Sequence, residues 1–355
     1  MDLFELTVLD SYAPTHAIGL GRLGSNTAIA KIPFGPELAN LEQFNNNLLD
    51  CLRGRGTGKR PTGQELVSFG HLLFEFLVRD EIRDLYLRLP GTQVSLNVLT
   101  NHSVLRQLPW EYLQEPHQLC PRKGRSVVRI MPTISASVPV PLPRTQLTRV
   151  LFVYADPQGV GRVSWNDVRD ALQRTYKARF PTTMGLEIVE CTDRISLTTA
   201  LQRSQFDIVQ FSCHGEVFNN NGRPEGRLIL FDKNQRRADY ITGKELGSLM
   251  GGRNIRLAIL SACESSAATS DLGFTNIAED LISQGIPAVL ANQAPVQDQT
   301  VASFVGAVYD ELLISGNIDV AVTVGRLQLF MELRDSPEWG IPTLHRIYGG
   351  SQIYQ

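Results

Sequence analysis

Short apolar runs in the second half of the chain constrain the fold more than any other feature. They are rich in β-branched residues and several are separated by helical segments, and they lie at 150–154, 186–191, 208–213, 255–262 and 288–291. The run LAILSA (257–262) shows no polar alternation, which is typical of a strand covered on both faces. The pattern predicts an α/β fold in which helices cover both faces of a mostly parallel sheet.

The first half of the chain is organised differently. Apolar residues recur at helical spacing over 38–52 and 64–89, and the runs at 93–99 and 126–131 look like strands. We therefore expect an α+β region over residues 1–131.

A proline-rich stretch follows this region. Proline fixes φ and removes a hydrogen-bond donor, so a crowded set of prolines suits an extended connector. The stretch contains Pro132, Pro139, Pro141 and Pro143. We predict a connector at 132–146 and a second domain at 147–355.

Charge and composition exclude several classes of function. The 34 basic and 36 acidic side chains give a formal charge of −2, so no overall field favours nucleic acid or an anionic membrane, and direct binding of either is not expected. The start of the chain, MDLFELTVLD, does not resemble a signal peptide. Five cysteines without a CxxC pair fit a reducing compartment and offer no zinc-site spacing. The sequence predicts a soluble cytoplasmic protein.

Two reactive side chains directly follow two of the apolar runs. His214 and Gly215 come after FDIVQFSC, and Cys263 comes after IRLAILSA, 49 residues further on (263 − 214). Functional groups of open parallel sheets collect beyond the carboxyl ends of the strands. If the two strands are neighbours about 5 Å apart, the imidazole and the thiol share one crevice. Nucleophilic catalysis by a cysteine needs that arrangement.

The chemistry of such a pair is well defined. An ordinary thiol has a pKa of about 8.5, so a neighbouring imidazole that takes its proton makes it a nucleophile. His214 can later protonate the leaving amine. The backbone N–H groups of Gly215 and Cys263 are the predicted oxyanion hole, and the small Ser261 leaves room for substrate.

Several segments together resemble the CHAT domain family, a branch of the caspase-like cysteine peptidases related to separase. They are LRQLPWEYLQ (105–114), RSVVRIMP (125–132), VQFSCHGEV (209–217), LAILSACESS (257–266) and the C-terminal stretches at 282–326 and 339–350. The resemblance implies a caspase-like sandwich with His214 and Cys263 as the catalytic dyad. The α+β first half is then the regulatory or pseudo-catalytic part of the module.

This resemblance implies a cysteine endopeptidase that cleaves a protein substrate without a metal or an organic cofactor. Family members often carry tetratricopeptide repeats or a sensor domain, and no period of about 34 residues is present here. Activation is therefore expected to depend on a protein partner or on the first half of the chain. The resemblance points to bacterial defence or programmed cell death.

Two polar segments next to the predicted dyad indicate latency. FNNNGRPEGR (218–227) and SSAATSDLGF (265–274) are rich in Asn, Gly, Ser and Thr, so we expect mobile loops there. Caspase-like enzymes commonly need such loops to become ordered before they cut, which predicts a latent enzyme.

Asp298 is the predicted determinant of specificity. It follows PAVLANQ (287–293), at the position where related peptidases line the primary specificity pocket. With Ser261 it is expected to line that pocket, where a carboxylate favours Arg or Lys before the scissile bond. Capping of the following helix by Asp298 is the alternative, and it stays open.

Two other functions fit parts of the pattern. A catalytically silent CHAT-fold scaffold is compatible with the missing sensor domain, although intact His214, Gly215 and Cys263 argue against it. A nucleotide-binding doubly wound domain fits the alternation of strands and helices, but the chain lacks a glycine-rich phosphate loop.

Overall fold

The computed structural model describes most of the chain. The described residues are 3–54, 60–88, 93–99, 102–115, 125–131, 138–143, 148–155, 164–179, 186–221, 223–232, 237–261, 263–264, 273–333 and 335–355. The chain divides into two compact units, one formed by residues 1–130 and 322–341 and the other by 131–321 and 342–355. Most of the predicted connector at 132–146 lies outside the described residues, and the domain limits at 131, 146 and 147 stay predictions.

Both units contain strands and helices. The strands are β1 (Leu3–Leu9), β2 (His16–Leu23), β3 (Asn26–Pro33), β4 (Gln93–Leu99), β5 (Arg125–Val127), β6 (Arg129–Ile130), β7 (Thr148–Tyr154), β8 (Leu186–Cys191), β9 (Ile208–Ser212), β10 (His214–Asn220), β11 (Arg223–Asp232), β12 (Arg237–Thr242), β13 (Leu257–Leu260), β14 (Cys263–Glu264), β15 (Ala288–Asn292) and β16 (Pro342–Arg346). The helices are α1 (Pro36–Leu52), α2 (Gly63–Leu77), α3 (Asp80–Leu87), α4 (Ser103–Gln107), α5 (Trp165–Arg179), α6 (Arg194–Arg203), α7 (Gly243–Met250), α8 (Gly273–Ser283), α9 (Asp298–Ser315) and α10 (Ile318–Glu332), with short 3-10 helices at Trp110–Tyr112 and Pro337–Gly340.

The first unit is built on a mixed sheet with the strand order β3-β2-β1-β4-β5. β1 pairs antiparallel with β2 and parallel with β4. Phe4, Leu6 and Val8 of β1 are buried, because alternate side chains of a strand point to the same face. The α+β region expected before the main sheet is present.

The predicted helix over 64–89 is two helices, α2 and α3. A capping box starts α2, since the Thr62 hydroxyl accepts a hydrogen bond from the Glu65 N–H and the Glu65 carboxylate accepts one from the Thr62 N–H. The helix ends because Val78 and Arg79 leave the helical region of backbone space, and Asp80 follows with a φ of 48°. Apolar periodicity does not record this change in the backbone.

A buried ion pair joins two segments of the first unit that carried the family resemblance. Arg129 donates hydrogen bonds to both carboxylate oxygens of Glu111, at 3.0 and 2.8 Å. Its guanidinium also donates to the backbone oxygens of Arg106 at 2.6 Å and Leu108 at 3.1 Å. A buried charge is tolerated when its partners are supplied, so the pair fixes how these two segments pack.

A C-terminal segment packs in the same unit around Tyr112. The Tyr112 hydroxyl donates a hydrogen bond to the Pro337 carbonyl, and its ring packs edge to face with Trp339 at a centroid distance of 4.8 Å. A Cβ at Gly340 would lie 2.5 Å from the Tyr112 ring, so this approach requires glycine.

The main sheet of the second unit contains strands in the order β16-β15-β13-β9-β7-β8. These strands are parallel to their neighbours except β16, which runs antiparallel to β15. β8 coincides with the predicted run at 186–191. β9 and β13 end before the runs at 208–213 and 255–262 do, since the chain leaves the main sheet to enter β10 and β14, and β13 also begins two residues later than its run.

Helices cover both faces of this sheet. On one face, helices α6, α7 and α8 contribute Leu197, Leu246 and Leu281 to a core that also contains Val209 and Phe211 of β9. On the other face, α5 packs against α9, whose Tyr309 contacts Gln210 of β9. Across the part of the chain that the structure describes, no helix is long and apolar enough to cross a membrane.

Candidate active site

His214 lies where the chain passes from the main sheet into a second sheet. β9 ends at Ser212, Cys213 follows, and His214 is the first residue of β10. The second sheet has the strand order β12-β11-β10-β14. His214 is only 4% exposed, so its imidazole is shielded from bulk water.

The backbone places Cys263 beside His214. β9 and β13 are parallel neighbours in which Phe211 pairs with Leu260, an offset of 49 residues (260 − 211). β10 and β14 keep that offset, since His214 pairs with Cys263. Adjacent strands lie about 4.8 Å apart, so the two predicted catalytic residues occupy neighbouring positions. The side chain of Cys263 lies outside the described part of the structure.

Gly215 occupies the next register position. It pairs with Leu228 of β11 and with Glu264 of β14. The two predicted oxyanion donors, the N–H groups of Gly215 and Cys263, therefore belong to adjacent strands. Both lie beyond the carboxyl ends of β9 and β13, where the parallel-sheet rule places functional groups.

The expectation of a mobile loop at 218–227 is wrong, because this segment forms most of a hairpin between β10 and β11. Side chains hold the strands together: the Arg227 guanidinium lies 4.4 Å from the Phe218 ring centre and 3.9 Å from that of Tyr240 on β12. Arg227 also donates to the Glu216 carboxylate at 2.6 Å. Asn221 takes the positive φ of 53° that the turn needs, which Asn tolerates.

The second predicted loop, at 265–274, lies almost wholly outside the described residues. Only its last two positions are described, and they begin α8.

Ser261 belongs to a buried polar network that the sequence analysis missed. It is 4% exposed, and its hydroxyl accepts a hydrogen bond from the Gln210 side-chain amide at 2.7 Å. The Gln210 carbonyl accepts one from the Tyr309 hydroxyl at 3.4 Å. Burial, followed by the charge of Tyr354, raises the pKa of Tyr309 well above its ordinary value, so this hydroxyl stays protonated and can donate. The one available sequence signal was a glutamine inside the apolar run IVQFS.

Asp298 is the first residue of α9, and its carboxylate accepts a hydrogen bond from the Ser164 N–H at 2.9 Å. A carboxylate in the first turn also complements the helix dipole. The side chain thus joins α9 to the residue that precedes α5.

An aromatic pair flanks this contact. Trp165, the first residue of α5, stacks on Tyr154 at the end of β7, with ring centres 3.9 Å apart. Both residues are partly exposed.

The geometry is compatible with cysteine chemistry and provides no described metal site. An imidazole and a cysteine at paired positions of adjacent strands can exchange a proton once the thiol faces the ring. No group of three or more His, Cys, Asp or Glu side chains that could hold a metal ion occurs within the described ranges.

Comparison with family models identifies the relatives of the chain. A model of the CHAT domain matches residues 68–348. The chain belongs to the CHAT domain family. The CHAT match covers most of the chain and includes His214, Gly215, Ser261, Cys263 and Asp298. The predicted caspase-like fold class, a mostly parallel sheet with helices on both faces after an α+β region, is confirmed.

Solved structures similar to this CHAT protein include two cysteine peptidases, among 86 matching chains. A Saccharomyces cerevisiae separase–securin complex matches with a TM-score of 0.47 and 11% identity, covering 97% of this chain and 30% of that one. The Arg-specific cysteine proteinase gingipain R matches with a TM-score of 0.45 and 10% identity, covering 88% and 76%. A complex of Porphyromonas gingivalis RgpB pro- and mature domains matches with a TM-score of 0.45 and 10% identity, covering 87% of this chain and 76% of that one.

This chain spans about 30% of the length of the separase chains that it matches. No curated protein matches it in sequence.

Proposed function

We propose that this CHAT protein is a cysteine endopeptidase that cleaves a protein substrate with a dyad of His214 and Cys263. The observation that carries the proposal is the register of β10 and β14, in which the two residues are paired. The burial of His214 and the membership in the CHAT family also support it.

The proposed reaction has two halves. His214 takes the thiol proton of Cys263, and the thiolate sulfur attacks the carbonyl carbon of the scissile bond. The N–H groups of Gly215 and Cys263 hold the resulting oxyanion. His214 then gives its proton to the departing amine, which leaves a thioester on Cys263. Water hydrolyses the thioester with His214 as the base, and the thiol is restored.

Ser261 and Asp298 are the proposed residues of the primary specificity pocket. A carboxylate at that place selects Arg or Lys before the scissile bond, because charge-assisted pairing is strong where water is excluded. A library of peptide substrates tests this idea with Asp298→Ala and the wild type. A preference for Leu or Met that Asp298→Ala leaves unchanged would refute the basic pocket.

Latency and an activating protein partner are part of the proposal, with bacterial defence or programmed cell death as the setting and the cytoplasm as the compartment. The family resemblance and the cysteine content support these points. Equal proteolysis by the isolated chain and by its native complex would contradict latency.

Labelling with thiol-reactive peptide electrophiles tests the dyad. In its native complex, the wild type should be labelled at Cys263 and Cys263→Ala should lose that label. Labelling of His214→Ala in the same complex should be at least about 100-fold slower, the lower end of general-base effects. Cys51→Ala is the matched control, because Cys51 is a partly exposed cysteine of the first unit. Labelling confined to cysteines other than Cys263 would favour the catalytically silent scaffold.

A further inference from the structure

Gln210 is a polar residue at a fully buried position of a central strand, where an apolar side chain is usual. It lies in the middle of β9 with 0% exposure, between the fully buried Val209 and Phe211. Burying an amide without hydrogen bonds is unfavourable, and an apolar side chain would avoid that cost. The presence of Gln210 at this position is therefore explained by the hydrogen bonds that its side chain makes.

Those bonds join the three elements that carry the proposed site. Gln210 itself precedes His214 by four residues on the same run of chain. Its amide nitrogen reaches Ser261, two residues before Cys263, and its carbonyl accepts from Tyr309 on α9, the helix that begins with Asp298.

The orientation of the amide follows from its surroundings. Both Ser261 and Tyr309 have hydroxyl groups, which can donate or accept, so neither of them distinguishes the two ends of the amide. The backbone oxygen of Phe211 lies 3.4 Å from the Gln210 nitrogen, and a carbonyl oxygen can only accept. The NH2 end must therefore face Phe211 and Ser261, and the carbonyl end must face Tyr309.

This orientation sets the direction of the Ser261 hydroxyl. Because the Gln210 nitrogen can only donate, the Ser261 oxygen accepts and its own hydrogen points away from Gln210. A serine hydroxyl otherwise rotates to suit its neighbours.

From this geometry we infer that Gln210 is a positioning residue, which fixes the Ser261 hydroxyl for contact with the substrate side chain in the specificity pocket. The inference rests on the proposed peptidase activity. Gln210 does not touch the substrate; it acts through Ser261. Tyr309 holds the far end of the amide in place.

Selectivity of labelling is the measurement that a merely structural role would not move. A panel of peptide electrophiles that differ only in the residue before the reactive group gives a rate constant for each at Cys263. In Gln210→Met, which keeps the length of the side chain and loses both bonds, we expect the ratio of the best to the second-best peptide to fall about 5-fold, the size of one neutral hydrogen bond. The rate with a small thiol reagent such as iodoacetamide should stay within about two-fold.

A double-mutant cycle connects the effect to Ser261. In a Ser261→Ala background, Gln210→Met should leave the ratio unchanged, because the hydroxyl that it orients is gone. Tyr309→Phe, which removes only the bond to the amide carbonyl, should give a smaller change in the same direction. If Gln210→Met does not fold, Tyr309→Phe is the variant that tests the positioning role.

The outcomes separate the two proposals. An unchanged ratio in folded Gln210→Met and Tyr309→Phe, or an equal change in both Ser261 backgrounds, would overturn the positioning role alone. Absence of labelling at Cys263 of the wild type in its native complex, with every peptide and with iodoacetamide, would overturn the peptidase proposal, and the positioning role with it.

Discussion

Each unit contains a cluster of buried polar side chains, and the two clusters satisfy their hydrogen-bonding groups in different ways. In the first unit, Arg129 and Glu111 are charged, with side chains only 7% and 0% exposed, and two bonds join them while two more run from Arg129 to backbone oxygens. In the second unit, Gln210, Ser261 and Tyr309 form a neutral chain of two side-chain bonds.

The two clusters differ in whether a buried hydroxyl without a described hydrogen-bond partner lies beside them. The charged pair is satisfied by its own segments, which is what a purely structural role requires. Beside the neutral cluster, Ser212 is 0% exposed and its hydroxyl has no hydrogen-bond partner in the described ranges of the chain. A buried hydroxyl without a described hydrogen-bond partner thus lies two residues before His214, next to the candidate site.

The largest expected effect comes from breaking the charged pair. Glu111→Leu or Arg129→Met alone should lower the free energy of unfolding by about 3–5 kcal/mol, since each leaves a buried charge without its partner. The double variant should recover much of that loss, because no charge remains buried. Urea unfolding of the three variants measures these differences.

The second unit offers a matched pair for this prediction. Asp319 and Arg346 are bonded through both carboxylate oxygens, at 2.8 and 2.7 Å. Arg346→Met should therefore destabilise the protein in the same way. A negligible effect of Arg346→Met beside a large one of Arg129→Met would mean that the contrast lies between the units and not between charged and neutral clusters.

A smaller effect is expected at Asp280, a half-buried carboxyl on α8. Burial raises its pKa to about 6, Glu225 and Glu279 add to the shift, and Lys244 opposes it. Because the pKa is higher in the folded than in the unfolded state, this group contributes stability below pH ~4 that is lost as the pH rises through ~6. Asp280→Asn should then be more stable than the wild type at pH 8 by roughly 1 kcal/mol, discounted for exposure, with the difference vanishing near pH 4.

Glu245 at the start of α7 is the control of opposite sign. Hydrogen bonds from Thr242 are the main cause that lowers its pKa, so its contribution is present at neutral pH and is lost on acidification through the folded pKa. Glu245→Gln should be less stable than the wild type at pH 8. If both variants change stability equally at pH 4 and pH 8, the carboxyl groups do not titrate differently in the folded and unfolded chain.

The sequence predicted the parts of the site that depend on strand register. The sequence placed His214 and Cys263 after two apolar runs, 49 residues apart, and made their proximity conditional on the two strands being neighbours. The structure supplies that condition, because β9 and β13 pair with the same offset of 49 residues. Helices on both faces followed from the continuous apolar character of those runs. Such features depend on the local sequence and the geometry of a parallel sheet.

Contacts between distant side chains could not be predicted in this way. Tyr309 is 99 residues from Gln210, and no local pattern records their hydrogen bond. The β10–β11 hairpin was mistaken for a loop because Arg227, which is packed between Phe218 and Tyr240, supplies the cohesion that the Asn- and Gly-rich sequence lacks. Tertiary packing overrides local propensity there.

The smallest expected effect compares two serines at equivalent positions of neighbouring strands. Ser212 and Ser261 share the offset of 49 residues (261 − 212), and both are buried. Ser261→Ala should cost about 1 kcal/mol, because it deprives the Gln210 amide of its acceptor. Ser212→Ala should be neutral or stabilising by up to ~1 kcal/mol, because it removes a buried hydroxyl without a described partner.

Urea unfolding of both serine variants under identical conditions gives the comparison. The alanine side chains create cavities of similar size, so the difference between the two values isolates the hydrogen bond. Equal losses of stability would show that Ser212 is as well satisfied as Ser261. The contrast between the fully bonded Arg129–Glu111 pair and the second-unit cluster, which has a Ser212 hydroxyl without a described hydrogen-bond partner beside it, would then be wrong. The positioning role of Gln210 would in that case rest on labelling selectivity alone.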